Sequence, residues 1–265
     1  MTPAFGYDVC GEGPVLLIMP GGAGHPMGLG PMTEALAGRF TVVTYDPLGL
    51  AHGRLGTPVE EQRVEAWSDG AARVLERVLG DGEAAHVFGT SSGAVAALDL
   101  AARHPARLRH VVAHEPPCVA VLADGARQQA RFREVYDAYR RAGIQAAGAR
   151  LAAVLEEREA DGREVGQALT PTEELTTPMA LFLSRVLLPF TAYEPKPGPL
   201  SGGRASTGLT VAAGAESRGQ LLHRTARAAA DRLDGRFVEF PGGHLGTVQH
   251  PVEFAGRLVS VLGEP

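Results

Sequence analysis

Short apolar runs alternate with amphipathic stretches along most of this chain of 265 residues. The apolar runs predict strands at residues 15–19, 40–45, 85–88, 108–114, 209–213 and 236–240. The amphipathic stretches predict helices at residues 59–79, 94–102, 219–233 and 251–262. This β-α-β-α order predicts an α/β fold with a mostly parallel central sheet and helices on both faces.

No convincing strand pattern occurs between residues 120 and 200, and the alternation is interrupted there. Residues 170–174 are typical of a helix start, and the proline-rich residues 193–199 indicate a linker. Apolar side chains recur at helical spacing, as in Phe132, Val135, Tyr136 and Tyr139 and in Leu181, Phe182 and Val186. We expect a helical lid at 120–200, inserted into an α/β core formed by 1–119 and 201–265. The apolar stripes are also compatible with a plain packing surface or a homodimer contact.

Composition argues against several classes of function. The formal net charge is −5 and no basic cluster occurs, so no nucleic-acid partner is expected. Lys196 is the only lysine, which excludes a G-x-x-x-x-G-K phosphate loop. Cys10 and Cys118 lack metal-ligand spacing, H-E-x-x-H is absent, and residues 22–27 lack the third glycine of a dinucleotide motif. We therefore expect no metal and no cofactor.

Neither export nor membrane insertion is indicated by the sequence. The first residues lack a charged stretch followed by an apolar one, and no apolar run has membrane-spanning length. A soluble cytoplasmic protein that acts on a small molecule, without a membrane partner, is the expectation.

One short motif carries most of the chemical information. Gly89-Thr90-Ser91-Ser92-Gly93 reads G-x-S-x-G, and it lies between a predicted strand and a predicted helix. In that context the motif makes a nucleophile elbow, a sharp turn that holds the serine hydroxyl away from the backbone. Ser91 is therefore the predicted nucleophile.

A serine hydroxyl is a poor nucleophile until a neutral imidazole takes its proton. Of the nine histidines, only His244 lies on a glycine-rich loop at the carboxyl end of a predicted strand. Open α/β sheets place ligand chemistry at such strand ends. His244 is therefore the predicted general base.

These segments together resemble the α/β-hydrolase superfamily. Residues 20–25 (PGGAGH) lie where that family has its oxyanion loop. Residues 45–49 (YDPLG) resemble the loop that follows the family's fourth strand. The elbow follows, and residues 241–244 (PGGH) end in the histidine position. The resemblance covers nearly the whole chain apart from the insertion, and it implies an enzyme with a Ser, acid, His order along the chain.

The resemblance also implies an oxyanion hole made of two backbone N–H groups. One is the N–H of Ser92, directly after the nucleophile. The second belongs to the loop after the strand at 15–19, where Gly22 is the prediction and Ala23 stays open as its neighbour.

Two glutamates compete for the role of triad acid. The usual family position, counted from Gly214, holds Ser217, and Glu216 lies one residue earlier. A family variant places the acid after the strand that follows the elbow helix, and there the chain has Glu115. We favour Glu115 because it lies at the tip of a predicted buried strand, with Glu216 as the alternative acid. Asp46 is interpreted as a loop-ordering residue.

The predicted function is that of a serine hydrolase acting on an ester, thioester or lactone of a small, largely apolar molecule. A carbon–carbon bond hydrolase would use the same triad. A non-hydrolytic cyclase or lyase and a binding protein with an inactive site are further alternatives on this fold.

Overall fold

The computed structural model describes residues 5–159, 166–197 and 208–263. The predicted boundary between residues 200 and 201, and the end of the predicted linker at 193–199, lie outside these residues.

A seven-stranded sheet forms the centre of the described structure. Its strands are β1 (Gly6–Cys10), β2 (Val15–Met19), β3 (Thr41–Asp46), β4 (Ala85–Thr90), β5 (Leu108–His114), β6 (Gly208–Gly214) and β7 (Arg236–Phe240). The spatial order is β1-β3-β2-β4-β5-β6-β7. Only β1 runs antiparallel to its neighbour in this sheet, and every other pair is parallel. The predicted mostly parallel sheet is confirmed.

Helices cover both faces of the sheet. They are α1 (Gly30–Ala37), α2 (Val64–Val78), α3 (Ser92–Arg103), α4 (Gly125–Leu155), α5 (Pro171–Glu174), α6 (Pro178–Leu181), α7 (Leu187–Thr191), α8 (Leu221–Arg232), α9 (Gly246–Gln249) and α10 (Pro251–Leu262). Because side chains alternate along a strand, Leu17 belongs to the apolar cluster that contains residues of α2, α3 and α8, whereas Leu16 belongs to the cluster that contains residues of α1 and α10. The two resulting apolar clusters confirm the predicted layers. No helix among the described residues combines the length and the apolarity needed to cross a membrane.

The described part of residues 120–200 contains α4 to α7 and no strand. These helices share an apolar cluster that includes Phe132, Tyr139 and Leu183. Glu174 is buried among them, and its carboxylate accepts hydrogen bonds from the Tyr139 hydroxyl at 3.1 Å and from Arg140 and Arg185 at 3.0 Å each. The segment thus has its own packed centre, and its role as a lid stays a prediction.

Elements β1, α1 and α9 have no counterpart in the sequence prediction, and helix α2 begins later than predicted. Strand β1 is partly or fully exposed at every position, and α1 buries only Met32 and Leu36, so both lack a strong apolar pattern. Helix α2 begins at Val64 instead of residue 59, because Gln62 donates its N–H to the Arg185 carbonyl at 2.8 Å and Arg63 has extended backbone.

Candidate active site

The turn between β4 and α3 has the geometry of a nucleophile elbow. Ser91 adopts φ 54° and ψ −123°, which is strained for a residue with a side chain. Its N–H donates to the His114 carbonyl at 2.9 Å, so the turn is tied to the end of β5. A Cβ atom at Gly93 would lie 2.0 Å from the Met19 carbonyl oxygen, and one at Gly89 would lie 2.5 Å from Gly93. Glycine is therefore required on both sides of Ser91.

The loops after β4, β5, β6 and β7 meet at the carboxyl edge of the parallel sheet, which brings the predicted histidine and one glutamate together. His244 Nδ1 lies 2.8 Å from Glu115 Oε2. An ionised carboxylate only accepts hydrogen bonds, so Nδ1 carries the proton and Nε2 is left as an acceptor. His244, Glu115 and Ser91 line one cavity.

Glu115 is fixed from several directions. Its side chain is 0% exposed, its N–H donates to the Ala212 carbonyl at 2.8 Å, and its Oε1 accepts from the Gly214 N–H at 2.9 Å. Burial opposes ionisation of Glu115, but the His244 hydrogen bond and the neighbouring imidazoles outweigh it and hold the pKa at about 2. Glu115 is therefore an anion at neutral pH.

The alternative acid lies away from His244. The Glu216 side chain is 68% exposed, and its Oε1 is 4.0 Å from His250 Nε2. Ser217 is buried, and its hydroxyl lies 3.4 Å from the place where a Cβ atom at Gly243 would be. The structure thus brings Glu115, and not Glu216, to the predicted base.

The loop after β2 lies directly against Ser91. A Cβ atom at Gly21 would come within 2.9 Å of Ser91 Cβ, and Gly22 has φ 61°. Gly24 N–H donates to the Gly21 carbonyl at 2.9 Å, which closes a tight turn. Within the described residues the N–H groups of Gly22 and Ser92 donate to no acceptor, and both residues line the cavity. The same holds for the N–H of Ala23, and which of these groups receives an anionic oxygen stays a prediction.

Asp46 serves a different purpose. Its buried carboxylate accepts from the N–H groups of Leu50 at 3.0 Å and Ala51 at 2.8 Å, and it lies 2.9 Å from His52 Nδ1. The same hydrogen bond raises the pKa of His52. Asp46 is absent from the described cavity lining, and these contacts match the predicted loop-ordering role.

The cavity has a volume of about 510 Å³ and lies between the strand ends and the helices of the insertion. Its apolar lining residues include Phe132, Leu151, Leu155, Phe182, Leu187, Phe190 and Leu222. Met27, Met179, Leu245 and Val248 also line it and are exposed, which gives the opening an apolar rim. Among the described lining residues there is no lysine or arginine.

Sequence reasoning missed part of this lining. Glu156, Gln220 and Leu222 come from two distant segments, the end of α4 and the start of α8. No local motif marks them, because only the packing of the insertion on the core brings them to the cavity. Near Ser91 the prediction also missed a contact of the Ser92 side chain, whose hydroxyl donates to the Gly22 carbonyl at 2.7 Å.

Comparison with known proteins agrees with this architecture. Among solved structures, a thermophilic esterase from Thermogutta terrifontis superposes with a TM-score of 0.64 at 16% identity, covering 97% of this chain and 92% of that one. The enol-lactonase from Burkholderia xenovorans LB400 gives a TM-score of 0.59 at 16% identity, covering 97% and 96%. At this level of identity the likeness concerns the fold.

Sequence similarity is more specific. "Uncharacterized hydrolase YraK" from Bacillus subtilis (strain 168) is 33% identical over 259 residues, which span 97% of this chain and 91% of that protein. The sequence model described as "Alpha/beta hydrolase family" matches residues 15–257. The chain therefore belongs to the alpha/beta hydrolase family and is a hydrolytic enzyme.

Proposed function

We propose that this hydrolase cleaves an ester, thioester or lactone of a small, largely apolar molecule through an acyl-enzyme intermediate. The observation that carries the proposal is the 2.8 Å contact between His244 Nδ1 and Glu115 Oε2, in a cavity that Ser91 also lines from a nucleophile elbow. A buried anion in contact with an imidazole, together with a strained serine in the same cavity, supplies the groups that activate a hydroxyl in such a triad.

In this mechanism Ser91 Oγ attacks the substrate carbonyl while His244 Nε2 takes its proton. Glu115 keeps the Nδ1 tautomer and stabilises the imidazolium that forms, because its low pKa keeps it ionised. His244 then gives the proton to the leaving alcohol or thiol, and the acyl group stays on Ser91. A water molecule, deprotonated by His244, releases the acid in the second half of the reaction.

Both tetrahedral intermediates carry a negative oxygen, which the N–H groups of Gly22 and Ser92 would receive. Loss of one such donor typically costs about a hundredfold to a thousandfold in turnover. Both N–H groups are available for this role, since neither is committed to an acceptor in the described structure.

The lining argues against an anionic substrate. Aromatic and aliphatic side chains dominate the cavity, and no lysine or arginine among the described residues is present to bind a carboxylate. The esterase and the enol-lactonase that share the fold are named for acyl-transfer chemistry, which agrees with the proposal without identifying this substrate.

A fluorophosphonate probe tests the nucleophile directly. The wild type should be labelled at Ser91 and should hydrolyse an activated neutral ester such as p-nitrophenyl butyrate. Ser91→Ala should abolish both signals, with a loss of turnover on the order of a millionfold. Ser68→Ala is a matched control, because Ser68 is a buried serine outside the cavity.

Combining variants tests the partnership with His244. His244→Ala should cost about as much as Ser91→Ala, and the double variant should be hardly slower than either, because the residues act as one unit. Multiplying losses would contradict the proposal. Labelling without hydrolysis of any ester, thioester or lactone would favour carbon–carbon bond cleavage, and absence of labelling would favour a binding protein.

The insertion is proposed to act as a lid that selects the substrate. Phe182 lines the cavity and packs against the insertion's own apolar cluster from its partly buried position, whereas the next residue, Leu183, is buried inside that cluster and is absent from the described lining. Phe182→Ala should change the ratio of kcat/KM values across acyl-chain lengths more than the melting temperature. Leu183→Ala should do the reverse. Equal stability losses with unchanged substrate preference in both variants would assign these helices to packing alone.

A further inference from the structure

The residue after the proposed nucleophile has a hydroxyl of its own, and that hydroxyl is already engaged. Ser92 Oγ lies 2.7 Å from the carbonyl oxygen of Gly22, and Ser92 is 1% exposed. A carbonyl oxygen only accepts, so Ser92 is the donor. This bond joins the first residue of α3 to the loop after β2, across 70 positions of sequence.

The accepting residue has open space at its own Cα, although its neighbour Ala23 is buried. A Cβ atom built at Gly22 would meet nothing within 4 Å, so no side-chain contact restrains this position on that side. Glycine also has the widest choice of φ and ψ, and Gly22 uses that freedom with φ 61°. One side of the residue is fixed by the hydrogen bond from Gly24 N–H to the Gly21 carbonyl.

The other side of Gly22 is fixed by Ser92. In a trans peptide the carbonyl and the N–H point in opposite directions, so the bond to Gly22 O sets the plane that also contains the Ala23 N–H. The turn bond sets the preceding plane, which contains the Gly22 N–H. The Ser92 bond therefore holds the Gly22–Ala23 peptide directly, and it restrains the Gly22 N–H indirectly, by limiting φ and ψ at the residue between the two fixed planes.

We propose that the Ser92 side chain is a positioning residue that orients the oxyanion loop, while its backbone N–H is itself a donor to the oxyanion. The inference rests on the proposed function for its catalytic consequence. It also explains why only the first of two adjacent serines is available as a nucleophile, since the Ser92 hydroxyl proton is committed to Gly22.

Ser92→Ala removes this bond and keeps the backbone N–H. We expect kcat for p-nitrophenyl butyrate to fall about tenfold or more, the effect of losing a buried hydrogen bond that orients a catalytic donor. KM should stay within about twofold, and Ser92→Thr, which restores a hydroxyl, should recover most of the loss. Ser184→Ala is the matched control, because the Ser184 hydroxyl also donates to a backbone carbonyl, that of Ala180 at 2.8 Å.

A second pair of measurements separates positioning from general destabilisation. A trifluoromethyl ketone, which forms an oxyanion on Ser91, should bind Ser92→Ala about tenfold more weakly, whereas a neutral alcohol product should bind equally well. Hydrogen exchange of residues 20–25 should be faster in Ser92→Ala and unchanged in Ser184→Ala.

The exchange measurement does not depend on activity. If wild-type protein neither hydrolyses esters nor labels at Ser91, the proposed function fails, and exchange at residues 20–25 still tests the loop. Unchanged exchange in Ser92→Ala would overturn the inference. So would a kcat within twofold of an active wild type, or equal weakening of both ligands.

Discussion

The loops after β5 and β6 each carry a glutamate within two residues of the strand end, yet the two side chains have opposite environments. Glu115 is 0% exposed and contacts His244 Nδ1 at 2.8 Å, whereas Glu216 is 68% exposed and 4.0 Å from His250. The neighbouring β6 loop does take part, because its Gly214 N–H donates to Glu115 at 2.9 Å. One loop thus supplies the carboxylate and the other a backbone donor.

This difference shows that chain position alone does not make a carboxylate a partner of histidine. The strand β5 lies between β4 and β6 in the sheet, so the residue after it has neighbouring loops on both sides. The backbone of Glu115 is strained, because its φ of 50° lies in a region that a residue with a side chain rarely adopts. The hydrogen bonds of Ala212, Gly214 and His244 hold it there.

The largest expected effect on kcat comes from neutralising one of the two glutamates at a time. Glu115→Gln should lower kcat by about a thousandfold to ten-thousandfold, since the neutral amide no longer fixes the tautomer or stabilises the imidazolium. Glu216→Gln should cost at most about tenfold, as expected of a residue outside direct contact. Steady-state kinetics on one ester measures both. Equal or reversed losses would remove the distinction between the loops.

A smaller expected effect is on the pH dependence of stability, and it comes from His114, the last residue of β5, which is buried. Burial lowers the pKa of His114 to about 4, against about 6.5 for an exposed imidazole. Between these values the unfolded chain takes up a proton that the folded protein does not, so stability falls as pH drops from about 6.5 to 4. The contribution is on the order of 1–3 kcal/mol.

Urea unfolding of His114→Phe should show a flatter dependence on pH over that window, because the titrating group is gone. The rings of Phe240 and Phe254 already surround His114, so an aromatic replacement suits the site. His250→Asn, which removes an exposed imidazole, is the comparison variant. An unaltered slope in His114→Phe would mean that water reaches the buried imidazole.

The smallest expected effect is a partial recovery of kcat when the carboxylate is supplied from the loop after β6 instead of the loop after β5. Ser217 is buried beside Gly243, on the loop that carries His244. In a Glu115→Gln background, Ser217→Asp should recover about tenfold in kcat by supplying a carboxylate from the β6 side. Glu216→Asp in the same background is the control and should recover nothing. Recovery in the control alone would show that the β6 loop rearranges.

Local pattern was sufficient for most of the core. Strands β2, β5 and β7 begin and end at the predicted residues. Strand β2 is buried throughout and is a continuous apolar run, whereas β5 and β7 combine apolar residues at buried positions with polar residues. The elbow was predictable for a related reason, since its glycines are required by the close approach of neighbouring backbone. Strand β1 was not, because an exposed edge strand has no buried face to impose a pattern.

By itself the sequence determined the strand and helix order, the serine turn and the histidine loop, each of which depends on residues that are neighbours in the chain. The choice between Glu115 and Glu216, the Ser92 contact with Gly22 and the cavity lining from α4 and α8 were decided by tertiary structure. These features join residues that are far apart in sequence, and the hydrogen bonds among them require donor and acceptor atoms to come within about 3 Å of each other. Only the packed fold sets such distances, because burial and hydrogen-bond partners do not exist until the distant segments meet.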